Sequence, residues 1–440
     1  MVPLVLLATH ARAMTHGWDC MSCKTNSMLA GNFGTWRSDI NLDDPWWIDT
    51  LATSYAAVFL NNFWANNFTG AGVDSKIRVA RALKKRNPAI KVWFYQPADR
   101  LGDTPFILSA LNDHPEWWLR DDHGNVMPFG GPTSKLKQID SSVVSAQDYF
   151  ANLSISLFHN REEAATLLDG VFVDGVSFRN PNPVNISESR YQALFAGQMT
   201  MMEKLCANLK SLNGEGEAIG NPLVQYGTIG PSQNSSIPPG SNITKTLTHY
   251  DGAFDEMFGS FLTMEGGMHG NGEWDVEKMR FSFDAILNAS GMGKTIVVHA
   301  FPGPATVPFN AVGPAGNVFH TASWAGATPS PTDPDSARAA TQARLVQSLA
   351  PFLIVANEHV FFSYAWFYNI EDGYIPCPVS TGVECGMPHA WFPEFSKPLG
   401  APSGPAETDA ERNVWTRTFA HATVSVDLRN RTLSHIEWTS

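Results

Sequence analysis

With 440 residues and 43% hydrophobic side chains, the chain holds far more apolar material than a small core needs. That excludes a disordered chain, a collagen-like repeat or a scaffold held by disulfides alone. Lysine and arginine total 30 against 42 aspartates and glutamates, a net charge of -12, and the longest basic run is Lys84-Lys85-Arg86, so a nucleic-acid groove does not fit. Only 16% of residues are charged while tryptophan numbers 14, a balance suited to an extracellular protein that handles neutral, flat-faced ligands such as sugars.

In chain order, the first feature is the apolar run Pro3 to Ala8, followed by Ala11-Arg12-Ala13, which has the small-x-small form of a signal-peptidase site. Residues 1–16 are expected to be a truncated or atypical signal peptide, or an ordinary mobile N-terminus. Strands are then expected at Ser27 to Phe33, Ala57 to Phe63, Lys91 to Gln96, Gly170 to Asp174, Glu217 to Asn221, Gly252 to Met257, Thr295 to Ala300 and Val360 to Tyr364. Helical spacing of apolar residues marks Ser75 to Arg86, Glu188 to Lys210, Val276 to Asn288 and Ser336 to Phe352. Apolar strands alternating with helices imply a parallel sheet covered on both faces. Eight such units, with no Gly-x-Gly-x-x-Gly after the first strand, favour a (β/α)8 TIM barrel over residues 17–370 rather than an open doubly wound sheet. Residues 371–440 are expected to add a long Gly/Pro/Ser-rich loop, Glu371 to Asp409. A β-hairpin then joins Ala422 to Leu428 and Thr432 to Trp438 around Asn430-Arg431, packed on the barrel.

Asn-x-Ser/Thr occurs at Asn67, Asn152, Asn185, Asn234, Asn242, Asn288 and Asn430, which points to secretion through a glycosylating pathway. No window holds about 18 uninterrupted apolar residues, so no membrane anchor is expected. Of the five cysteines, Cys206 falls on the apolar face of a helix with Met202, Leu205 and Leu209 and is expected to be a buried thiol. Cys20, Cys23, Cys377 and Cys385 allow three pairings, of which Cys377 with Cys385 is favoured. A zinc site on Cys20 and Cys23 lacks a second ligand pair.

In a barrel of this kind the reacting groups come from the C-terminal ends of strands. The run Asp169-Gly170-Val171-Phe172-Val173-Asp174 ends on an acid after three apolar residues, and Asp251-Gly252-Ala253-Phe254-Asp255-Glu256 does the same. Asp255 and Glu256 are adjacent, so alternation sends only one of them inward. The same residues also fit structural roles, Asp174 as a cap or turn residue and Asp255 with Glu256 as a surface pair. Two carboxyl groups across a barrel mouth suit glycoside hydrolysis, one protonated to assist the leaving oxygen and the other ionised to attack carbon or activate water. Further strand-end groups suit a hydroxyl-rich ligand: Asn61, Tyr95, Gln96, Asn221, His299, Tyr364 and Trp366, the last as a flat platform for a pyranose face.

Several segments resemble a known family: Val92-Trp93-Phe94-Tyr95, Glu116-Trp117-Trp118-Leu119-Arg120-Asp121 with Gly124, Gln138-Ile139-Asp140, the two acid-ended strands, Trp391-Phe392-Pro393-Glu394 and Pro398-Leu399-Gly400. Together they are similar to the glycosyl hydrolase-like family 15, related to α-galactosaminidase-type barrels, over about Asp44 to Trp438. The resemblance implies a TIM-barrel glycoside hydrolase in which Asp174 and Glu256, rather than Asp255, correspond to the acidic pair. Asp255 is expected among the substrate contacts. The segment before Asp44 and the stretches Gly227 to Lys245 and Pro302 to Pro334 match little.

The leading expectation is therefore a secreted glycoside hydrolase that needs no cofactor and whose partner is a carbohydrate substrate, neither nucleic acid nor membrane. Glu256, longer by a methylene, is assigned the general acid and Asp174 the nucleophile or base. The alternative is a catalytically silent carbohydrate-binding barrel. A metal hydrolase using His269, His299 and the acids ranks below both, because no His-x-His or His-x-x-x-His occurs.

Overall fold

The computed structural model describes residues 18, 26–29, 45–60, 72–98, 100–101, 112–128, 137–176, 186–220, 247–259, 276–300, 310–312, 318–320, 334–364 and 392–439. Eight strands form one parallel sheet in chain order: β1 (Asn26–Leu29), β2 (Ala57–Leu60), β3 (Lys91–Pro97), β4 (Gly170–Asp174), β5 (Glu217–Gly220), β6 (Gly252–Phe258), β7 (Thr295–Ala300) and β8 (Val360–Tyr364). The connecting helices are α1 (Pro45–Ser54), α2 (Gly72–Arg86), α3 (Val144–Ser156), α4 (Arg161–Leu167), α5 (Glu188–Asn213), α6 (Val276–Gly291) and α7 (Pro334–Val355). Parallel strands need such crossovers, and the helices cover the outer face of the sheet.

Alternation divides each strand between two cores. Val58, Phe94, Val171, Val298 and Phe362 face the helices and join Leu83, Leu205, Phe283 and Leu349 in the larger one. Phe59, Trp93, Phe172, Ile219, Phe254, Val297 and Phe361 gather in a second cluster on the inner face. Phe59 of β2 meets Phe172 of β4 with ring centroids 4.9 Å apart and Phe254 of β6 at 6.1 Å. Rings from strands that are not neighbours touch only if the sheet curls, and β1 lies beside β8 as well as β2. Each fully buried aromatic on the inner face contributes about 1.5 to 3 kcal/mol through burial.

Helices α3 and α4 occupy a stretch for which no element is expected from the sequence, because α3 buries Gln147 and Ser154 among its apolar residues and so lacks a clean apolar stripe. Ahead of them, residues 115–128 pair antiparallel with one another and with residues 137–140, with bridges Trp118↔Ile139 and Pro128↔Lys137. The Leu119 N–H donates to the Gln138 carbonyl at 2.9 Å, and Asp121 accepts from the Asn125 N–H at 2.7 Å to hold the turn.

The segment expected as a lone hairpin is part of a four-stranded antiparallel sheet: β9 (Glu407–Asp409), β10 (Val414–Thr418), β11 (Ala422–Asp427) and β12 (His435–Trp438). Strands β11 and β12 pair from Ala422↔Trp438 to Ser425↔His435, while β9 and β10 extend the sheet beyond β11. Ala422, Val424 and Val426 are buried at every second position, the period of a strand with one covered face. Arg417 of β10 reaches out of this sheet, and its Nη1 donates to the carbonyls of Leu353, Ile354 and Ala356 at 3.2, 2.9 and 2.5 Å. It thereby satisfies carbonyls at the end of α7 that no intrahelical N–H can reach.

Cys206 is buried, and its Sγ donates to the His249 carbonyl at 3.5 Å; burial pushes the thiol pKa upward. The other four cysteines lie outside the described residues, as does the 1–16 segment. Among the described residues, no helix is long and apolar enough to cross a membrane.

Candidate active site

The C-terminal end of the inner face brings four polar side chains into phase with the aromatic cluster. On β3, Trp93 and Tyr95 point inward; on β4, Phe172 is followed two residues later by Asp174; on β7, Val297 is followed by His299; on β8, Phe361 is followed by Ser363.

Asp174 is partly exposed and ends its strand beside Pro97 of β3. The phenol of Tyr95 donates to Asp174 Oδ2 at 2.6 Å, and the Gly175 N–H donates to Oδ1 at 2.9 Å. Gly175 has φ 70°, a left-handed conformation that glycine adopts without steric cost and that turns the chain away at the end of the strand. The Gly175 carbonyl in turn accepts from Gln198 Nε2 of α5 at 2.8 Å, which fixes the turn to the helix layer. A carboxylate that receives donors on both oxygens has a set orientation and needs no proton to keep it.

His299 is fully buried, and its Nδ1 lies 2.9 Å from Ser363 Oγ. Burial lowers its pKa from 6.5 to about 3, so at neutral pH the imidazole is uncharged and acts through hydrogen bonds alone. The ring lies 6.2 Å from Phe254 of β6. Below Tyr95, Lys76 of α2 is 5% exposed with Nζ 3.5 Å from the Tyr95 carbonyl, and burial lowers its pKa to about 7.

Three expected ligand contacts lie elsewhere. Gln96 follows Tyr95 and so points to the helices, where Nε2 donates to the Phe150 carbonyl at 2.8 Å and Oε1 accepts from Ser154 Oγ at 2.7 Å. Tyr364 shares the outer phase of Val360 and Phe362, is 4% exposed, stacks on Phe362 at 6.0 Å and meets Phe392 edge-on at 5.6 Å. Asp255 is likewise outward and 5% exposed, with Ser282 Oγ of α6 donating to its Oδ2 at 3.3 Å. All three are therefore core anchors on the helix side. In β6 the register against β7 shifts between Asp255 and Phe258, a bulge that includes Glu256. The Glu256 side chain and all of Asn61, Asn221 and Trp366 lie outside the described residues.

Ser363 and Lys76 are absent from the sequence-based set. Alternation from Phe361 marks Ser363, but Tyr364 beside it is the more conspicuous polar residue. Lys76 shares a helix face with Val79, Ala80 and Leu83, and a lysine on an apolar face is the signal that marks it.

The family model described as hypothetical glycosyl hydrolase family 15 matches residues 84–423. Among curated proteins none matches this sequence. Among solved structures, Amy13B of Eubacterium rectale is 10% identical with a TM-score of 0.47, the alignment covering 93% of this chain and 86% of that one. An alpha-amylase from Geobacillus thermoleovorans complexed with acarbose is 10% identical over the same shares, with a TM-score of 0.44. Alpha-L-fucosidase isoenzyme 2 from Paenibacillus thiaminolyticus is 10% identical with a TM-score of 0.41, and the match covers 78% of this chain but only 46% of that longer chain.

Proposed function

The chain belongs to the hypothetical glycosyl hydrolase family 15, and from that premise we propose that it hydrolyses O-glycosidic bonds of an oligo- or polysaccharide with a pair of carboxylates. The observation that carries the reading is Asp174, a partly exposed carboxylate at the C-terminal end of an inner-facing strand, oriented by donors on both oxygens. Asp174 is the nucleophile or base, and Glu256 on β6 is the general acid that protonates the departing oxygen. A separation of about 5 to 5.5 Å between them would give retention, and about 6.5 to 9.5 Å would leave room for the water of inversion. Asn61, Asn221 and Trp366, which follow β2, β5 and β8 in sequence, are with His299 the sugar-binding residues of this reading. The sheet closes as a (β/α)8 barrel, a reading supported by β1 lying beside β8.

Passage through a glycosylating secretory route belongs to the same proposal. Asn430 supports it: the residue is exposed in the turn before β12, with the Thr432 hydroxyl donating to its Oδ1 at 2.6 Å. Digestion of a glycan panel with mass analysis of the products tests the activity. Asp174→Asn and Glu256→Gln are each expected to abolish turnover of a natural substrate, and Glu256→Gln is expected to spare substrates whose leaving group needs no proton. Binding without turnover on every glycan would instead identify a silent carbohydrate-binding protein.

A further inference from the structure

Tyr95 first suggests a sugar contact, since a phenol at a strand end offers both a donor and a flat ring. Its surroundings argue for a different task. The residue is 6% exposed and its ring packs on Phe172 at 5.7 Å, so little of it is left to meet a ligand. Its hydroxyl carries a single hydrogen, which it gives to Asp174 Oδ2 at 2.6 Å, a length typical of a hydrogen bond to an ionised acceptor. In register, Tyr95 stands opposite Phe172 and Pro97 opposite Asp174, so the phenol reaches along the strand direction to the next inner position of β4. The Gly175 N–H takes the other oxygen at 2.9 Å, and the two donors together define the plane of the carboxylate. Lys76 Nζ at the Tyr95 carbonyl, 3.5 Å away, anchors the backbone beneath the ring.

We infer that Tyr95 is a positioning residue, which acts on the reaction by orienting the Asp174 carboxylate and not by holding the sugar. The inference rests on the reading of Asp174 as the nucleophile or base. It also accounts for the division of labour between the acids: a carboxylate held by two donors presents lone pairs, whereas a general acid must present a hydrogen.

The full-length chain and its Tyr95→Phe variant, which keeps the ring and loses only the hydroxyl, test this on a glycan the panel shows to be cleaved. Loss of one hydrogen bond to an ionised group is expected to lower kcat by about 10- to 100-fold. KM is expected to stay within about twofold, because uniform binding is untouched. Rates are taken per folded molecule, with the folded fraction read by circular dichroism well below the melting temperature. A raised KM with kcat preserved would make Tyr95 a sugar contact and overturn the inference, as would no change in either constant. Asp174→Asn separates the two levels. If that variant keeps its activity, the reading of Asp174 falls and the inference with it. If Asp174→Asn is inactive while Tyr95→Phe keeps its kcat, only the inference falls.

Discussion

Strand β4 runs between two aspartates whose partners differ in kind. At its start Asp169 lies 2.6 Å from Lys84 Nζ and accepts the Val92 N–H of β3 at 2.7 Å. The same device recurs around this end of the sheet. Glu217 pairs with Lys91 at 3.0 Å and accepts from Thr295 Oγ1 at 2.8 Å, and Asp251 pairs with Lys210 and accepts the Ala218 N–H at 3.1 Å. Asp169 and Asp251 each stitch their strand to a neighbour, and Glu217 ties β5 to β3 and β7, the strands two places away on either side. A lysine offsets each charge, and the Asp251 carboxylate beside Lys210 raises that lysine's pKa. At the other end of β4, Asp174 accepts from the Tyr95 phenol and the Gly175 amide, both neutral donors. One strand thus carries an acid used as a fastener and, on the proposed reading of Asp174, an acid oriented for chemistry.

The largest test of this contrast is Asp174→Asn, which is expected to cut turnover by about a thousandfold or more while leaving the melting temperature unchanged. A drop in stability as large as that of an Asp169 variant would erase the distinction. Next comes acid sensitivity at the C-terminal end. The pKa of His299 is about 3 in the fold against 6.5 ordinarily, so below pH 6.5 the unfolded chain takes up a proton that the folded chain refuses. Stability is therefore full above pH 6.5 and is lost as the pH falls toward 3, by up to about 4 kcal/mol at the low end. Chemical denaturation of wild type and His299→Gln across pH 3 to 7 should show the two curves diverging, with the variant flatter; parallel curves would mean that the imidazole is not buried uncharged.

Gly170, next to Asp169, probes the inner face from below. A Cβ there would stand 2.2 Å from the Glu217 carbonyl and 2.4 Å from Trp93 Cδ1, so Gly170→Ala is expected to cost about 3 kcal/mol in urea unfolding. The smallest effect belongs to Asp169→Asn, which weakens the Lys84 pair yet keeps an acceptor for the Val92 N–H. A loss of about 1 kcal/mol with unchanged activity per folded molecule is expected, because Lys84 is largely covered and the pair is only partly screened. Activity loss without stability loss would move Asp169 to the reactive side of the comparison.

Strands β4, β7 and β8 are legible in the sequence to the residue, because each is a short β-branched and aromatic run with polar borders. Phase is what the sequence hides. A sheet covered on both faces is apolar at every position, so hydropathy does not mark which neighbour points inward. Tyr95 with Gln96, Asp255 with Glu256, and Ser363 with Tyr364 are each adjacent and polar, and only the partners across the strands separate them. Gln96 finds Phe150 and Ser154, Asp255 finds Ser282 and Tyr364 finds Phe392, all beyond the reach of local pattern. Strands β9 and β10 went unmarked for a related reason: β9 is exposed throughout and β10 is half-buried, so neither shows the alternation that reveals β11.

Arg417 adds a constraint of time. The carbonyls it caps at the end of α7 precede it by 61 to 64 residues, so during synthesis that helix leaves the ribosome long before its cap exists. Until Arg417 follows, those carbonyls lack its guanidinium, and the end of α7 is without that cap. A chain stopped short of residue 417 would hold every strand of the parallel sheet yet lack this contact at the end of α7.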